Sequence, residues 1–530
     1  MSKVFVADKE TLDKVKKDTT DILGKLSGDI GGGGIAPDNM KKFMAVNASG
    51  AVKLYIEGPS DTVIDSQTVC SVKGVRIVKS ATGYPATEKD GEIILELGVA
   101  DFDKYMSTAF NDTDVVADTT YYYGAFPYSD NGVFNRNEKN RASATPKDAI
   151  IYGYRRKKSD SNPDTCIEYT DEAVGMIPVS MNLLTGDFDF GSWKDTFLIR
   201  AFRPVALKYD GTVDYELDHD DQTKKLDGTA SDISNSSYGG NFMVEVKPIW
   251  IHRSEMDGYE IVKFSDIRVD DTYHCYQNMN DGGEVLDAIY LPMFEGSNVS
   301  SKVRSIAGQT PMNSSAGATE ITYAQNNGNG WYLDDWSNHK LIEDLLYLLA
   351  KSTASQAKYG NGHYSGGSQA SNLLQTGTLK SKGMFYGTSG NAAVKFFWLE
   401  NYYGDRWDRT AGAVYGTDGK LKVKMYPPYN TDGTGYVDTG VTFAGTSGGY
   451  ISDTVMTEYG RLPKTASGSD STYVPDGLWW NTSQLNYALS GGNCDDGLHV
   501  GVSCLALDDA LSASHWNVGP SLSYKKPAAA

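Results

Sequence analysis

The amino-acid sequence predicts a mixed α+β protein that is built mainly from short strands joined by loops. Its 530 residues are enough for three to four structural units and for a sizeable core. The chain holds 56 Gly and 34 Tyr residues, a turn-rich and aromatic composition that favours strands over a helical bundle. One strong helical pattern stands among many strand-like runs, which makes the predicted class α+β rather than all-β.

The charge and cysteine content exclude several classes of protein. With 49 basic and 68 acidic residues, the net charge of −19 repels phosphate backbones, so no nucleic-acid partner is expected. No run approaches 18 apolar residues, so no membrane insertion is expected either. The five cysteines form no CxxC pair, and the seven histidines show no i, i+4 pairing. The sequence therefore predicts no metal site, no disulfide framework and no cofactor.

Residues 1–42 are predicted to form an N-terminal attachment helix followed by a glycine-rich hinge. A mostly apolar set with spacings of three and four lies on one seam of this helix: Leu12, Val15, Thr19, Ile22 and Leu26. Two heptads do not hold a coiled coil unaided. The segment is therefore either a short oligomerising or virion-attachment stalk, or an amphipathic helix packed on a neighbouring domain.

Residues 43–146 change to a period of two and predict an antiparallel β-sandwich. Three runs, residues 72–78, 92–97 and 120–126, alternate in this way and are separated by turn-forming residues. The segment 118–128, with its threonine-tyrosine pair before alternating core residues, resembles the late strand of fibronectin type III modules. The resemblance implies a spacer module without a catalytic role.

Residues 147–530 are predicted to form one large α+β domain. Strand-like runs occur at residues 197–202 and 242–251, and a helix is predicted over residues 338–351 with Ser337 as its N-cap. The only GxSxG match is centred on Ser447, but the glycines after this serine make a poor helix start. We therefore interpret this match as a glycine-rich turn and not as a nucleophile elbow.

A catalytic carboxylate pair is the remaining enzymatic pattern. Five acidic residues are candidates for the two carboxylates of a glycosidase, namely Asp334, Asp335, Glu400, Asp405 and Asp408. Stray carboxylates are common in an acidic protein, and the sequence does not bring any two of these together. The prediction is that the protein is not an enzyme.

The C-terminal fifth of the chain carries a family resemblance. Residues 477–480, 488–497, 501–509 and 515–524 resemble the tail of phage and prophage proteins with the C-type-lectin-like fold shared with formylglycine-generating enzymes. Weaker similarity extends the resemblance to about residue 150, and with the sandwich it points to tail proteins of phages that infect gut Gram-positive bacteria. The paired copper-binding cysteines of the enzyme branch are not reproduced by Cys494 and Cys504, which stand ten positions apart.

The resemblance also implies a ligand-binding surface. In members diversified by retroelements, glycines and the region of Trp516 form a rigid frame, and the side chains between them face outward. Carried over to this chain, the candidate ligand-facing residues are Asn493, Cys494, Asp495, Asp496, Leu498, His499, Val500, Ser503, Cys504, Ala506, Asp508, Asp509, Ser514, His515 and Asn517. The alternative is that these are loop residues of an invariant domain.

The resemblance therefore implies a virion tail protein that binds a host-surface receptor, a protein or a glycan, through its C-terminal variable-type surface. Its other partners would be virion tail proteins and further copies of itself, as in a trimer. Its location would be the phage tail, and the host cytoplasm during assembly. Two alternatives stay open: a tail-associated glycan or cell-wall hydrolase, and a structural baseplate or collar protein without a host ligand.

Overall fold

Strands hold 38% and helices 10% of the structure, a computed structural model, so the prediction of a strand-rich protein is confirmed. The structure describes residues 34–48, 50–64 and 67–528. The predicted N-terminal helix lies outside these residues. The described chain divides into two units, the first holding residues 34–149 with Arg268–Asp270, and the second holding Ile150–Ile267 with residues 271–528. The predicted boundary between residues 146 and 147 lies three residues before the observed boundary between residues 149 and 150.

The first unit is a two-sheet sandwich. Its strands are β1 (Lys42–Ala48), β2 (Ala51–Glu57), β3 (Thr62–Ile64), β4 (Gln67–Cys70), β5 (Val72–Ser80), β6 (Glu92–Gly98), β7 (Phe110–Asp112), β8 (Tyr121–Ser129) and β9 (Arg141–Ala144). One sheet has the order β1-β2-β7 and the other β6-β5-β8-β9, while β3 and β4 form a hairpin. Leu54, Ile77 and Tyr123 come from both sheets and share one buried core. The runs with period two lie in β5, β6 and β8, because alternating side chains face this core.

The second unit begins with strands that surround its helices. In chain order these are β10 (Ile151–Lys157), β11 (Ile167–Asp171), β12 (Ser180–Asn182), β13 (Asp187–Asp189), β14 (Phe202–Lys208), β15 (Val213–Glu216), β16 (Gly240–Val246), β17 (Trp250–Met256), β18 (Tyr259–Ser265), β19 (Tyr273–His274), β20 (Ile289–Pro292), β21 (Ser297–Val299), β22 (Lys302–Arg304) and β23 (Trp331–Leu333). Most of them build a five-stranded sheet of order β11-β10-β18-β17-β19 and part of a six-stranded sheet.

The rest of the second unit carries the largest sheet. Its strands are β24 (Lys395–Phe396), β25 (Leu399–Glu400), β26 (Trp407–Tyr415), β27 (Lys420–Val423), β28 (Val437–Thr442), β29 (Thr446–Ile451), β30 (Asp453–Thr457), β31 (Gly460–Thr465), β32 (Val474–Asn481), β33 (Asn486–Ser490), β34 (Leu505–Leu507), β35 (Val518–Pro520) and β36 (Leu522–Tyr524). The eight-stranded sheet runs β28-β27-β26-β33-β34-β32-β29, with β35 parallel to β26. The six-stranded sheet is β15-β14-β16-β20-β36-β23.

Four α-helices are described, and two of them correct the sequence predictions. They are α1 (Phe197–Arg200), α2 (Gly317–Gln325), α3 (Trp336–Ala350) and α4 (Ser355–Tyr359). The predicted strand over residues 197–202 is α1 followed by the start of β14, since a short apolar run does not distinguish helix from strand. The predicted long helix is α3, which starts at Trp336 instead of Asn338. Its N-cap is Asp335, whose side chain accepts from the Asn338 backbone N–H at 3.1 Å, so Ser337 lies inside the first turn.

Helix α3 is the centre of the second unit, and all fifteen of its residues are buried. Two of its acidic side chains pair with an arginine on a surrounding strand. Arg461 of β31 contacts Glu343 and Asp344 of the helix at 3.2 and 3.3 Å and Glu260 of β18 at 2.8 Å. Breaking such a buried network is costly, so it holds the helix and the strands in one arrangement. In the part of the chain that the structure describes, no helix has the length and apolarity needed to cross a membrane.

Ser447, the serine of the GxSxG match, lies in β29 and not in a turn. It pairs with Trp480 of β32, and the chain continues as strand through Ile451. The absence of a helix after Ser447 agrees with the interpretation that this is not a nucleophile elbow.

Candidate functional site

An open depression of about 420 Å³ lies on one face of the eight-stranded sheet and is called the aromatic trough here. It is lined by Trp407, Trp479, Leu489, Asp496, Ala506, Asp508, Asp509, His515, Trp516 and Asn517. Strands supply its floor, and the loops before β34 and between β34 and β35 supply its walls. Six of the fifteen residues predicted to face a ligand are among the ten.

The floor of the aromatic trough is a cross-strand row. Ala506 of β34 pairs with Leu489 of β33 on one side and with Trp479 of β32 on the other. Paired residues lie on the same face of a sheet, so the three side chains are presented together. The rings of Trp407 and Trp479 meet edge to face, with centroids 5.7 Å apart and planes at 86°. This geometry is favoured between aromatic rings and gives the trough a stiff apolar base.

The loop between β34 and β35 is held by its backbone carbonyls. Five carbonyls accept hydrogen bonds from outside the loop: Asp509 from the Tyr487 N–H at 2.9 Å, Leu511 from the Gly317 N–H at 2.8 Å, Ala513 from Arg409 Nη2 at 3.1 Å, His515 from the Ser314 N–H at 2.9 Å, and Asn517 from the Trp407 N–H at 2.8 Å. Backbone groups make these bonds whatever side chain each position carries. The loop is therefore anchored without using its exposed side chains.

The walls of the aromatic trough are acidic. Burial raises the pKa of Asp496 to about 6, and burial together with the adjacent Asp509 raises the pKa of Asp508. Nε2 of His515 lies 3.4 Å from Oδ1 of Asp509. A trough lined by carboxylates and tryptophans suits a ligand that offers an apolar plane, a cation or hydrogen-bond donors.

The structure leaves nine of the fifteen predicted residues at least partly accessible. They are Asp495, Asp496, Leu498, His499, Asp508, Asp509, Ser514, His515 and Asn517. His499 stacks on Tyr450 with ring centroids 4.0 Å apart, and its ring lies 5.4 Å from that of Trp479. Their role in contacting a ligand stays a prediction.

The predicted outward orientation is wrong for six residues, which are buried: Asn493, Cys494, Val500, Ser503, Cys504 and Ala506. Ala506 is covered but still faces the floor of the aromatic trough. The hydroxyl of Ser503 lies 2.7 Å from that of Tyr347 on α3, and Val500 packs into the main core. These side chains are buried because the segment from β33 to β34 passes beneath the surface on its way back to the sheet.

The glycines of the predicted frame are required by close approach. A Cβ at Gly519 would lie 2.0 Å from the carbonyl oxygen of Met312, and one at Gly501 would lie 2.1 Å from Oδ1 of Asp476. Gly491 and Gly492 have φ of +93° and +81°, which side-chain-bearing residues rarely adopt. Trp516 corrects the prediction, because it is only half-buried and lines the aromatic trough.

Sequence reasoning missed the tryptophans of the trough floor. Trp479 enters the sequence analysis only through the family resemblance of residues 477–480, and Trp407 does not belong to that segment. Their proximity depends on strand order, since β26 and β32 are separated in the sheet by β33 and β34. The sequence holds one signal, because adjacent residues of a strand face opposite sides of the sheet. Trp479 faces the trough, whereas the ring of Trp480 stacks on that of Phe443 with centroids 4.7 Å apart.

A second, larger cavity of about 780 Å³ lies in the same unit and contains none of the predicted residues. Its lining includes Trp398, Phe188, Arg203, Glu216 and Glu245. Arg203 holds both carboxylates, with its guanidinium 3.1 Å from Glu216 and 2.7 Å from Glu245. The large cavity therefore brings two carboxylates and an arginine to one open volume.

The carboxylates named as a possible glycosidase pair are instead buried and used internally. Asp335 pairs with Lys525 at 2.6 Å, Asp408 pairs with Arg406 at 2.8 Å, and Glu400 accepts from the backbone N–H groups of residues 378 and 379. Asp334 accepts from the Asn338 side chain at 2.8 Å. These contacts indicate structural roles, because each carboxylate satisfies a neighbouring donor in the interior.

No family model matches the chain, and no curated protein matches it. Any function assigned to the aromatic trough therefore depends on its geometry and chemistry.

Proposed function

We propose that this chain is a phage virion tail protein that binds a host-surface receptor through the aromatic trough and the loop of residues 508–517. The observation that carries the proposal is the anchoring of that loop by its backbone carbonyls, with accessible side chains between the anchors. A surface of this kind tolerates changes of side chain without loss of the fold, as a recognition surface requires.

The chemistry of the aromatic trough favours binding over turnover. Tryptophan supplies large contact area at low conformational-entropy cost, and rigid loops reduce the ordering cost of association. Trp407, Trp479 and Trp516 line the trough together with three aspartates and a histidine. Interfaces concentrate binding energy in such central aromatic residues.

The finer parts of the proposal follow from the resemblance. The second unit would be a C-type-lectin-like head, and the first unit a fibronectin III-like spacer, which its three-stranded and four-stranded sheets support. Further copies in the virion would convert weak individual contacts into firm attachment. The partner would be a protein or glycan on the surface of the host cell.

Two adjacent tryptophans test the proposal. Trp479→Ala removes part of the floor of the aromatic trough, whereas Trp480→Ala removes a half-buried ring of the same strand from the opposite face. Binding of the labelled full chain to intact cells is measured across a panel of gut Gram-positive bacteria. Losing a central aromatic costs about 2 kcal/mol or more, so we expect Trp479→Ala to weaken binding by about 30-fold or more.

Trp480→Ala is expected to bind as the unchanged protein does, and thermal unfolding confirms that both variants are folded. Equal binding by both variants to a strain that the unchanged protein recognises would contradict a role for the aromatic trough. Absence of binding to every strain would favour a structural baseplate or collar protein.

A cell-wall or glycan hydrolase is the second candidate, and the large cavity is the observation that favours it. Its carboxylates Glu216 and Glu245 converge on Arg203 inside an open volume. Release of soluble sugar from purified cell walls tests this function, with Glu245→Gln as the control variant. Release by the unchanged protein that disappears in Glu245→Gln would establish the hydrolase.

A further inference from the structure

Three potential metal ligands from separate parts of the chain meet beneath the loop that follows β33. They are His363, Asp405 and Cys494, and one ligand atom of each lies within 4.8 Å of the other two. His363 belongs to the segment between α4 and β24, Asp405 precedes β26, and Cys494 follows β33. All three side chains are buried, with exposed fractions of 6%, 0% and 0%.

The three segments that carry the cluster are joined by backbone hydrogen bonds. The backbone N–H of Cys494 donates to the carbonyl of Asp405 at 3.0 Å. The N–H groups of Gly366 and Gly367 donate to the carbonyl of Cys494 at 2.7 and 3.1 Å. The three segments are thus already joined at their backbones, and a ligand set built this way is preorganised.

Within the cluster, the carboxylate of Asp405 pairs with the imidazole of His363. Nδ1 of His363 lies 2.5 Å from Oδ1 of Asp405, and the Leu374 N–H donates to both oxygens of Asp405. A Cβ on Gly366 would lie 2.4 Å from Nε2 of His363 and 3.1 Å from Cβ of Cys494. Glycine at position 366 therefore preserves the space between the imidazole and the thiol.

The donor types select the metal. Imidazole nitrogen, carboxylate oxygen and thiolate sulfur together suit zinc, whereas magnesium and calcium prefer oxygen alone. Bonds of about 2.0 to 2.3 Å place two donors of one tetrahedral zinc about 3.5 Å apart. The observed separations are at most 4.8 Å, so side-chain shifts of about an ångström complete the site.

Metal binding has to overcome the preference of Cys494 for its neutral form. Burial, followed by the negative charge of Asp405, raises the pKa of Cys494 to about 12. The neutral thiol is therefore the stable form in the metal-free protein. A coordinated ion reverses this preference, because a metal-bound thiol loses its proton.

We propose that His363, Asp405 and Cys494 bind one Zn²⁺. As the sulfur–zinc bond forms, the thiol proton of Cys494 passes to solvent, and no oxidation or reduction takes place. The ion would clamp residues 491–500 to the segments that carry His363 and Asp405. Asp496 of the aromatic trough stands two positions after Cys494, so the clamp would also limit movement of one trough wall. The site does not depend on the proposed receptor function.

The full chain itself provides the test. The protein is stripped with a chelator, dialysed, loaded with Zn²⁺ and analysed for bound metal, and a second sample is loaded with Co²⁺ for absorption spectroscopy. We expect one zinc per chain and a thiolate-to-cobalt charge-transfer band in the near ultraviolet. This band requires a sulfur ligand, so the unchanged protein tests the site without any substitution.

Two cysteine variants locate the sulfur ligand. Cys504 is equally buried and free but does not belong to the cluster, so Cys504→Ser is the matched control. Cys504→Ser should keep the band and the zinc. Cys494→Ser should lose the band and bind zinc more than about 100-fold more weakly, since loss of even an outer-shell partner costs about 10- to 100-fold.

If Cys494→Ser does not fold, Asp405→Asn replaces it, and weaker zinc binding is expected again. A stripped protein that takes up less than a tenth of an equivalent of zinc, or that shows no charge-transfer band with cobalt, overturns the proposal. Equal zinc affinity of Cys494→Ser and Cys504→Ser overturns it as well, and would leave His363 and Asp405 as an internal pair beside an inert thiol.

Discussion

The two halves of the C-terminal stretch, residues 493–504 and 506–517, use their side chains in opposite ways. In the first half, five of the nine candidate residues are buried, whereas in the second half only Ala506 of six is covered. Both halves are anchored through backbone carbonyls, since Cys494, Leu498 and Val500 accept hydrogen bonds as the later loop does. Anchoring by the backbone is therefore not enough for a variable surface. The side chains between the anchors must also be exposed to solvent.

The contrast has a topological cause. The first half runs from β33 back to β34 beside α3 and α4, so its side chains fill the space between the sheet and the helices. The second half runs from β34 to β35, and its carbonyls accept hydrogen bonds from α2 and β26 while most of its candidate side chains stay accessible. Candidate ligand-facing residues are therefore concentrated in the second half and at the tip of the first.

The largest difference in the free energy of unfolding is expected when a carboxylate is introduced into each half. Val500→Asp buries an unpaired carboxylate at a fully buried site, and we expect the free energy of unfolding to fall by about 4 kcal/mol or more. Ser514→Asp adds the same charge to an exposed position and should change it by less than about 0.5 kcal/mol. Urea unfolding followed by tryptophan fluorescence measures both. Similar losses in the two variants would remove the distinction between the halves.

Replacing one serine in each half by alanine is expected to give an intermediate difference in the free energy of unfolding. Ser503→Ala leaves the buried hydroxyl of Tyr347 without its partner, which costs about 1 to 3 kcal/mol. Ser514→Ala removes an exposed hydroxyl and should be neutral within about 0.5 kcal/mol. The same urea titration compares them. A neutral Ser503→Ala would mean that its neighbourhood is wetter than the structure indicates.

The smallest expected effect is a pH dependence in the second half. Because burial and Asp509 raise the pKa of Asp508 above its usual value near 3.8, the folded state retains a proton that the unfolded state releases. Stability from this group is therefore present below about pH 4 and lost as the pH rises through the raised pKa. Asp508→Asn cannot ionise, so its stability relative to the unchanged protein should increase between pH 4 and pH 7.

Urea midpoints of the two proteins at both pH values provide the check. A constant difference between them would show that Asp508 is solvated like an ordinary surface carboxylate, and the wall of the aromatic trough would then be more open than described.

The fold could be predicted where the pattern is local. Period-two runs identified β5, β6 and β8, and the apolar set of residues 341–349 identified α3. Prediction failed at residues 197–200, where four residues are too few for a helical period to show. It also failed at the start of α3, where Asp335 and Ser337 are both acceptable caps and only the hydrogen bond to Asn338 distinguishes them.

The sequence predicted which segment holds the candidate site, but not which of its side chains are exposed. The resemblance located the segment 493–517, but it assigned the same outward orientation to Val500 and His515, which have opposite environments. Trp516 was expected inside and lies at the surface of the aromatic trough. His363 and Asp405 could not be linked to Cys494, because no periodic pattern connects residues that meet only after folding.

The sequence by itself determined the strand-rich class, the sandwich strands, the central helix and the positions where glycine is needed, because these depend on neighbours along the chain. Only the tertiary structure decided which side of the surface each C-terminal side chain occupies, which tryptophans share the aromatic trough and which three residues form the buried cluster. These depend on the order of strands in the eight-stranded sheet, and that order brings together residues whose separation in sequence carries no signal.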